Sequence, residues 1–162
     1  ALISRKIELG IVGAKLAIPR VQLKQFVQDE LILVVPPGHR WWKRTSIVLN
    51  ELQEEPFIMR EAGSGTRISM EKMLHEHGIT TDNLKIMAEV GSTTAVKQAI
   101  KAQLGISLIS ARAVEEELKL KIFRKVAIQR VRFPRTFYII QDKRQTPSPL
   151  CDALLLFLTS AR

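Results

Sequence analysis

A chain of 162 residues that is 46% hydrophobic and 25% charged can build one domain, or one domain in two lobes, around a packed core. That balance is globular, and the longest apolar run, ALLLFL at 153–158, is too short for a membrane span. The net charge of +9 is dispersed, with a mild concentration from Lys119 to Arg135 and no basic–aromatic interleaving, which fits tolerance of anions better than a nucleic-acid groove.

Ala1-Leu2-Ile3-Ser4-Arg5-Lys6 lacks the basic-then-apolar order of a signal peptide, and the single Cys151 cannot form an internal disulfide. A reducing, cytoplasmic setting is therefore expected. Ile7 to Val12 (IELGIV) reads as a buried strand leaving through Gly13-Ala14-Lys15. Val27 to Val35 (VQDELILVV) reads as a second strand, and Pro36-Pro37-Gly38 after it forces a change of direction. Ser46 to Leu52 reads as a short helix and Phe57 to Arg60 as a strand. A helix is predicted from Gly65 to His77, with Met70, Met73 and Leu74 at helical spacing and Gly78 as a left-handed stop.

Lys85 to Val90 (KIMAEV) is the next predicted strand, and Gly91-Ser92-Thr93-Thr94 opens a helix with Ala95, Val96, Ala99 and Ile100 on its apolar face. A strand at 106–109, a helix at 111–118 and strands at 122–128 and 136–141 follow. Ser148-Pro149 introduces the last helix, a cap residue followed by proline at the first helical position. Strands alternating with helices predict an α/β fold with mainly parallel pairing.

One local pattern recurs: a strand, a Gly/Ser/Thr turn, then a helix. It occurs at Met59 to Arg67, in REAGSGTR, and again at Val90 to Ala95. Such a turn offers unpaired backbone N–H groups, a hydroxyl and the positive end of a helix dipole, a receptor for phosphate, sulfate or carboxylate. The plainer reading is that Ser64 and Ser92 only cap their own helices, and the pattern leaves both open.

Enzyme signatures fail. GSGT has neither the lysine of a P-loop nor the spacing of a nucleophile elbow, and Ser69-Met70-Glu71-Lys72 matches S-x-x-K without its companion motifs. His75 and His77 lie on different helix faces with no further ligand nearby, so no metal and no cofactor is expected. Trp41-Trp42 beside Lys43-Arg44 reads as a pair of half-buried loop anchors, with a ligand platform as the alternative, and His39 as a surface residue of the Pro-Gly turn. No nucleophile and base pair is legible, so no catalytic residue is assigned.

Five pieces, in order, resemble the effector-binding domain of LysR-type transcriptional regulators. They are IELGIVG, DELILVVPPGHR, ELQEEPFIMREAGSGTR, EVGSTTAVKQAIKAQLGISLISARAVEEEL and RTFYIIQDKRQTPSP with the closing LLLFL. The R-E-x-GSGTR version resembles the branch of carbon-fixation and sulfur-assimilation regulators. The resemblance implies a two-lobed fold like the type II periplasmic binding proteins, each lobe an open, mainly parallel sheet flanked by helices. Lobe one would hold 1–34 and 137–162, and lobe two 35–136. The family's winged helix-turn-helix, and the first strand and helix of lobe one, would lie outside this chain.

By that resemblance, a small anionic effector (sulfate or sulfite, a phosphate ester or an organic acid) is held between the lobes. Its contacts would be Gly63, Ser64, Gly65 and Thr66, then Ser92 and Thr93, and from lobe one Gly13, Ala14 and Lys15, with Lys15 as the facing cation. Arg60 and Arg67 could assist, unless Arg67 pairs with Glu71 one turn on. Glu61 disfavours a highly charged ligand unless it pairs with Arg60. DNA would be bound only through the separate N-terminal domain, and a homodimer or homotetramer without membrane contact is implied. Arg5, Gln103 and Lys121 stand where the family has glycine; at Gln103 a left-handed residue is expected, where glycine is cheaper by about 1 kcal/mol. A solute-binding module or small α/β enzyme is the alternative reading.

Overall fold

The computed structural model of the chain describes residues 2, 4, 6–13, 15 and 18–160. Two compact units result, unit 1 from Ala1–Gln28 with Thr136–Arg162 and unit 2 from Asp29–Arg135. Two strands run from one unit into the other, β2 (Val21–Val35) and β8 (Phe133–Asp142).

In unit 1, β1 (Leu9–Val12) pairs antiparallel with β8, Leu9 opposite Gln141 and Val12 opposite Tyr138. β8 in turn neighbours β2. Leu2, Val21 and Ile140 form the buried cluster, with Val12 and Leu23 packed against it. The closing helix, α4 (Pro149–Ser160), starts as its sequence predicts: the Ser148 hydroxyl accepts the Cys151 N–H at 3.2 Å. Cys151 is a free, buried thiol whose pKa burial pushes up. Arg20 and Asp142 tie the end of β8 to the start of β2 at 2.6 Å. That guanidinium holds the Asp142 carboxyl below the usual carboxylate range.

Unit 2 is layered because its central strands are apolar on both faces. Leu31, Leu33 and Val35 of β2, with Phe57 and Met59 of β4 (Pro56–Arg60), enter one core, which α1 (Gly65–Glu76) covers with Met70 and Leu74. Ile32, Val34 and Ile58 point the other way, against Val96, Ala99 and Ile100 of α2 (Thr93–Lys101). Trp41 anchors the loop after β2 in the first core but is wholly rather than half buried, with Trp42 partly buried against the same core. His39 is not a surface residue, its ring lying 3.0 Å from Glu55 and mostly covered.

β4 pairs in parallel with β5 (Lys85–Val90) on one side. On the other, Ile58 N–H reaches the Ile106 carbonyl at 2.8 Å, just before β6 (Ser107–Ser110). β6 and β7 (Arg124–Ile128) both run antiparallel to β2, and β3 (Ser46–Ile47) runs parallel to β7. The fold is α/β as expected, but the pairing is mixed rather than mainly parallel. β2 enters unit 2 from unit 1 and runs against both of its neighbours there.

The predicted helix at 46–52 is in fact β3 followed by a 3-10 turn over Leu49–Glu54. Ala127 N–H to the Thr45 carbonyl (3.0 Å) and Gln129 N–H to the Ile47 carbonyl (2.9 Å) hold this segment extended. The Glu51 carboxylate then accepts the Val48 N–H at 2.9 Å and turns the chain. Likewise the helix expected at 111–118 is a 3-10 turn over Arg112–Val114 and then α3 (Glu115–Lys119). Glu117 of α3 is buried against Lys97 and Lys101 of α2.

Candidate functional site

Because β4 and β5 are parallel neighbours whose last residues, Arg60 and Val90, face each other past a register shift after Phe57, the turns that follow them leave the sheet at the same edge. The Glu61 N–H donates to the Val90 carbonyl at 3.1 Å, and Arg60 Nη1 donates to Thr93 Oγ1 at 3.0 Å. Arg67, from α1, reaches Glu71 at 2.7 Å, Glu89 of β5 at 2.5 Å and the Arg60 carbonyl at 3.1 Å. Gly63, Ser64, Gly65 and Thr66 are thus brought beside Ser92 and Thr93 within unit 2.

The two serines differ. Ser92 Oγ accepts the Ala95 N–H at 3.1 Å and is spent on capping α2. Ser64 is the N-cap residue of α1, only 8% exposed, yet its hydroxyl makes no cap hydrogen bond and has no other partner among the described residues. Its carbonyl accepts the first helical bond, from Ile68 at 2.9 Å, so the amides of Gly65, Thr66 and Arg67 lie before the helical ladder begins. Gly63 holds φ +86, which a side chain would strain, whereas Gly91 is not among the positive-φ glycines and makes its turn without left-handed backbone.

The arginines are committed. Arg60 grips Glu61 with Nε at 2.7 Å and Nη2 at 2.8 Å, and holds that carboxyl below the usual range. The Glu61 charge is therefore paired, the condition under which an anionic ligand is tolerated. Arg67 pairs with Glu71, the plainer of its two readings, and Glu71 with Glu89 raises its pKa.

One participant is absent from the sequence reading. Arg135 donates from Nη1 to Thr66 Oγ1 at 2.8 Å and from Nε to Asp29 Oδ2 at 2.7 Å. Its side chain is 6% exposed and that of Asp29 not at all. Arg135 and Asp29 are 106 positions apart, so no local pattern pairs them; the only hint is the acidic pair Asp29-Glu30 heading the apolar run of DELILVV. Gly13 and the exposed Lys15 belong to unit 1, following β1, while Ala14 lies outside the described residues, as does Arg5.

An open α/β unit whose Gly/Ser turns gather at the carboxyl ends of parallel strands defines a small-molecule-binding domain, here of the type II periplasmic-binding-protein kind. The chain belongs to the LysR substrate binding domain family, which it matches over residues 1–162. A probable RuBisCO transcriptional regulator of Cyanidium caldarium is 32% identical over 142 residues, 85% of this chain and 44% of its own. The RuBisCO operon transcriptional regulator of Allochromatium vinosum is 32% identical over 159 residues, 97% of this chain and 51% of its own. The chain spans about half the length of these relatives, whose names match the carbon-fixation branch suggested by R-E-x-GSGTR. Among solved structures, the Synechocystis PCC6803 CcmR regulatory domain in complex with 2-PG is similar at TM-score 0.85 and 25% identity, over 98% of this chain and 75% of that one. No helix among the described residues is long and apolar enough to cross a membrane.

Proposed function

We propose that this chain is the sensing part of a cytoplasmic transcriptional regulator, and that it binds a small anion at the start of α1 rather than catalysing a reaction. The observation that carries the reading is that Ser64, at a helix N-terminus whose first amides precede the ladder, does not spend its hydroxyl on capping that helix, which leaves the hydroxyl and those amides to one ligand. Gly63, Gly65 and Thr66 complete that turn, and Ser92 and Thr93 line the neighbouring one. The resemblance adds Gly13, Ala14 and Lys15 of unit 1 to the proposed contacts. The relatives' names as regulators and the 2-PG named with the CcmR domain support an anionic metabolite, whether a phosphate ester, sulfate or an organic acid.

Regulation follows from differential affinity. An anion that binds one conformation of the longer protein more tightly shifts its population, and with it DNA binding and assembly into dimers or tetramers. Calorimetry against sulfate, phosphate and 2-PG tests the site. A hydrogen bond to a charged ligand contributes roughly 1.5–3 kcal/mol, so Ser64→Ala should weaken the best of these anions by about 10- to 100-fold. An unchanged affinity in that variant places the anion elsewhere.

A further inference from the structure

We infer that Arg135 is a positioning residue for the anion, acting through the hydroxyl of Thr66, and that it links the anion site to the two strands that leave unit 2. The inference rests on the anion site proposed above.

A threonine hydroxyl has one hydrogen to give. Thr66 Oγ1 accepts from Arg135 Nη1 at 2.8 Å, and its own hydrogen goes to no acceptor among the described residues. The accepted bond fixes the oxygen's lone pairs and leaves the O–H as a donor at the mouth of α1. An anion accepting it would complete a chain from ligand to Thr66, to Arg135, to Asp29. Charge-assisted links polarise one another in such a chain when it is shielded from water.

The far end of the chain is a structural boundary. Asp29 is the first residue of unit 2 and Arg135 the last, one on β2 and one on β8. A second pair, Arg132 to Glu30 at 2.8 Å, joins β2 to the residue just before β8 but is 80% exposed on the arginine side. Asp29 Oδ1 is buried with no hydrogen-bond partner, so the inner pair depends on Arg135 alone. Arg135 uses the two faces of a rigid fork, one toward Asp29 and one toward Thr66, which a lysine ammonium does not reproduce.

A double-mutant cycle tests this, with 2-PG and inorganic sulfate as probes in calorimetry. Arg135→Lys should lower affinity about tenfold in the parent background and have no further effect beside Thr66→Val, while Thr66→Ser, which keeps the hydroxyl, should retain the coupling. Thermal unfolding is measured in parallel in both backgrounds, so that the coupling the Arg135–Thr66 bond contributes to the fold is separated from its effect on binding. Arg135→Gln repeats the cycle without the charge. If Thr66→Val weakens binding but either Arg135 variant weakens it by the same factor in both backgrounds, or Arg135→Lys leaves affinity intact, the relay is overturned while the anion site stands. If the parent binds neither probe, or Ser64→Ala and Thr66→Val both leave affinity unchanged, the anion site itself fails and the relay with it.

Discussion

Lys121 sits at φ +58 and Gln103 at φ +59, each just past the end of a helix. Both close their helices in the same way. Gln103 N–H reaches the Ile100 carbonyl at 2.9 Å and Leu104 N–H the Ala99 carbonyl at 3.1 Å; Lys121 and Ile122 do the same with Leu118 and Glu117 at 3.2 and 2.8 Å. This paired closure places one residue in the left-handed region, where glycine is favoured and a Cβ crowds the next carbonyl. Gly78 does the same after α1 at φ +77. Lys121→Gly should therefore stabilise the protein by about 1 kcal/mol, seen as a higher urea midpoint at unchanged slope. A lower midpoint would mean that the lysine stem contributes packing that outweighs the backbone relief. Gln103→Gly should gain less, because its side chain also donates to the Pro37 carbonyl at 3.2 Å. Gln103 was readable as a left-handed site because it stands after a helix where glycine is expected. Arg130, at φ +62, carried no such mark, and Arg135 none at all, since its partners come from remote parts of the chain.

Elements were legible where their periodicity was unbroken. KIMAEV is β5 with the bounds its sequence suggests, and α1 ends one residue before the predicted limit. Legibility failed where tertiary pairing overrode local preference. β3 is extended only because β7 binds it, and the first half of β2 is a strand although its polar residues hid the alternation of Val21 and Leu23. The turn residues of the candidate site were legible in kind, but which hydroxyls are already committed was not. That depends on whether a side chain meets its own helix, as Ser92 does, or leaves it, as Ser64 does. The junction of β4 with β6 gives a test at this scale. A Cβ added to Gly105 would lie 2.4 Å from the Pro56 carbonyl oxygen, the same atom that accepts the Ile106 N–H at 2.9 Å. Gly105→Ala must push β6 away from β4 or lose that bond, a cost of roughly 1–3 kcal/mol by analogy with overpacked cores. Chemical denaturation measures it, and a loss below about 0.5 kcal/mol, the ordinary surface range, would mean that the two strands separate freely there.

Across the whole chain, burial is distributed unequally between the units. β2 and β4 are apolar on both faces in unit 2, and their two cores include Trp41, Phe57, Phe123 and Phe133. Unit 1 has the small cluster of Leu2, Val21 and Ile140, and α4 leaves Leu150, Leu156 and Phe157 at 80%, 70% and 67% exposure. Local opening costs least where few apolar contacts must be broken, so native-state amide exchange should divide along the unit boundary. Amides of β4, β6 and the C-terminal half of β2 should exchange slowly, and those of β1 and α4 much faster. An anion held at α1 stabilises by mass action whatever conformation it binds, by about 2.7 kcal/mol at a hundredfold excess over its Kd. With 2-PG present, protection should therefore rise first in α1 and its flanking strands. If it rises equally in α4, the units open together and unit 1 is stabilised by contacts beyond its own cluster. If protection is uniform before any anion is added, the chain unfolds as a single cooperative body and the small cluster of unit 1 does not set its stability.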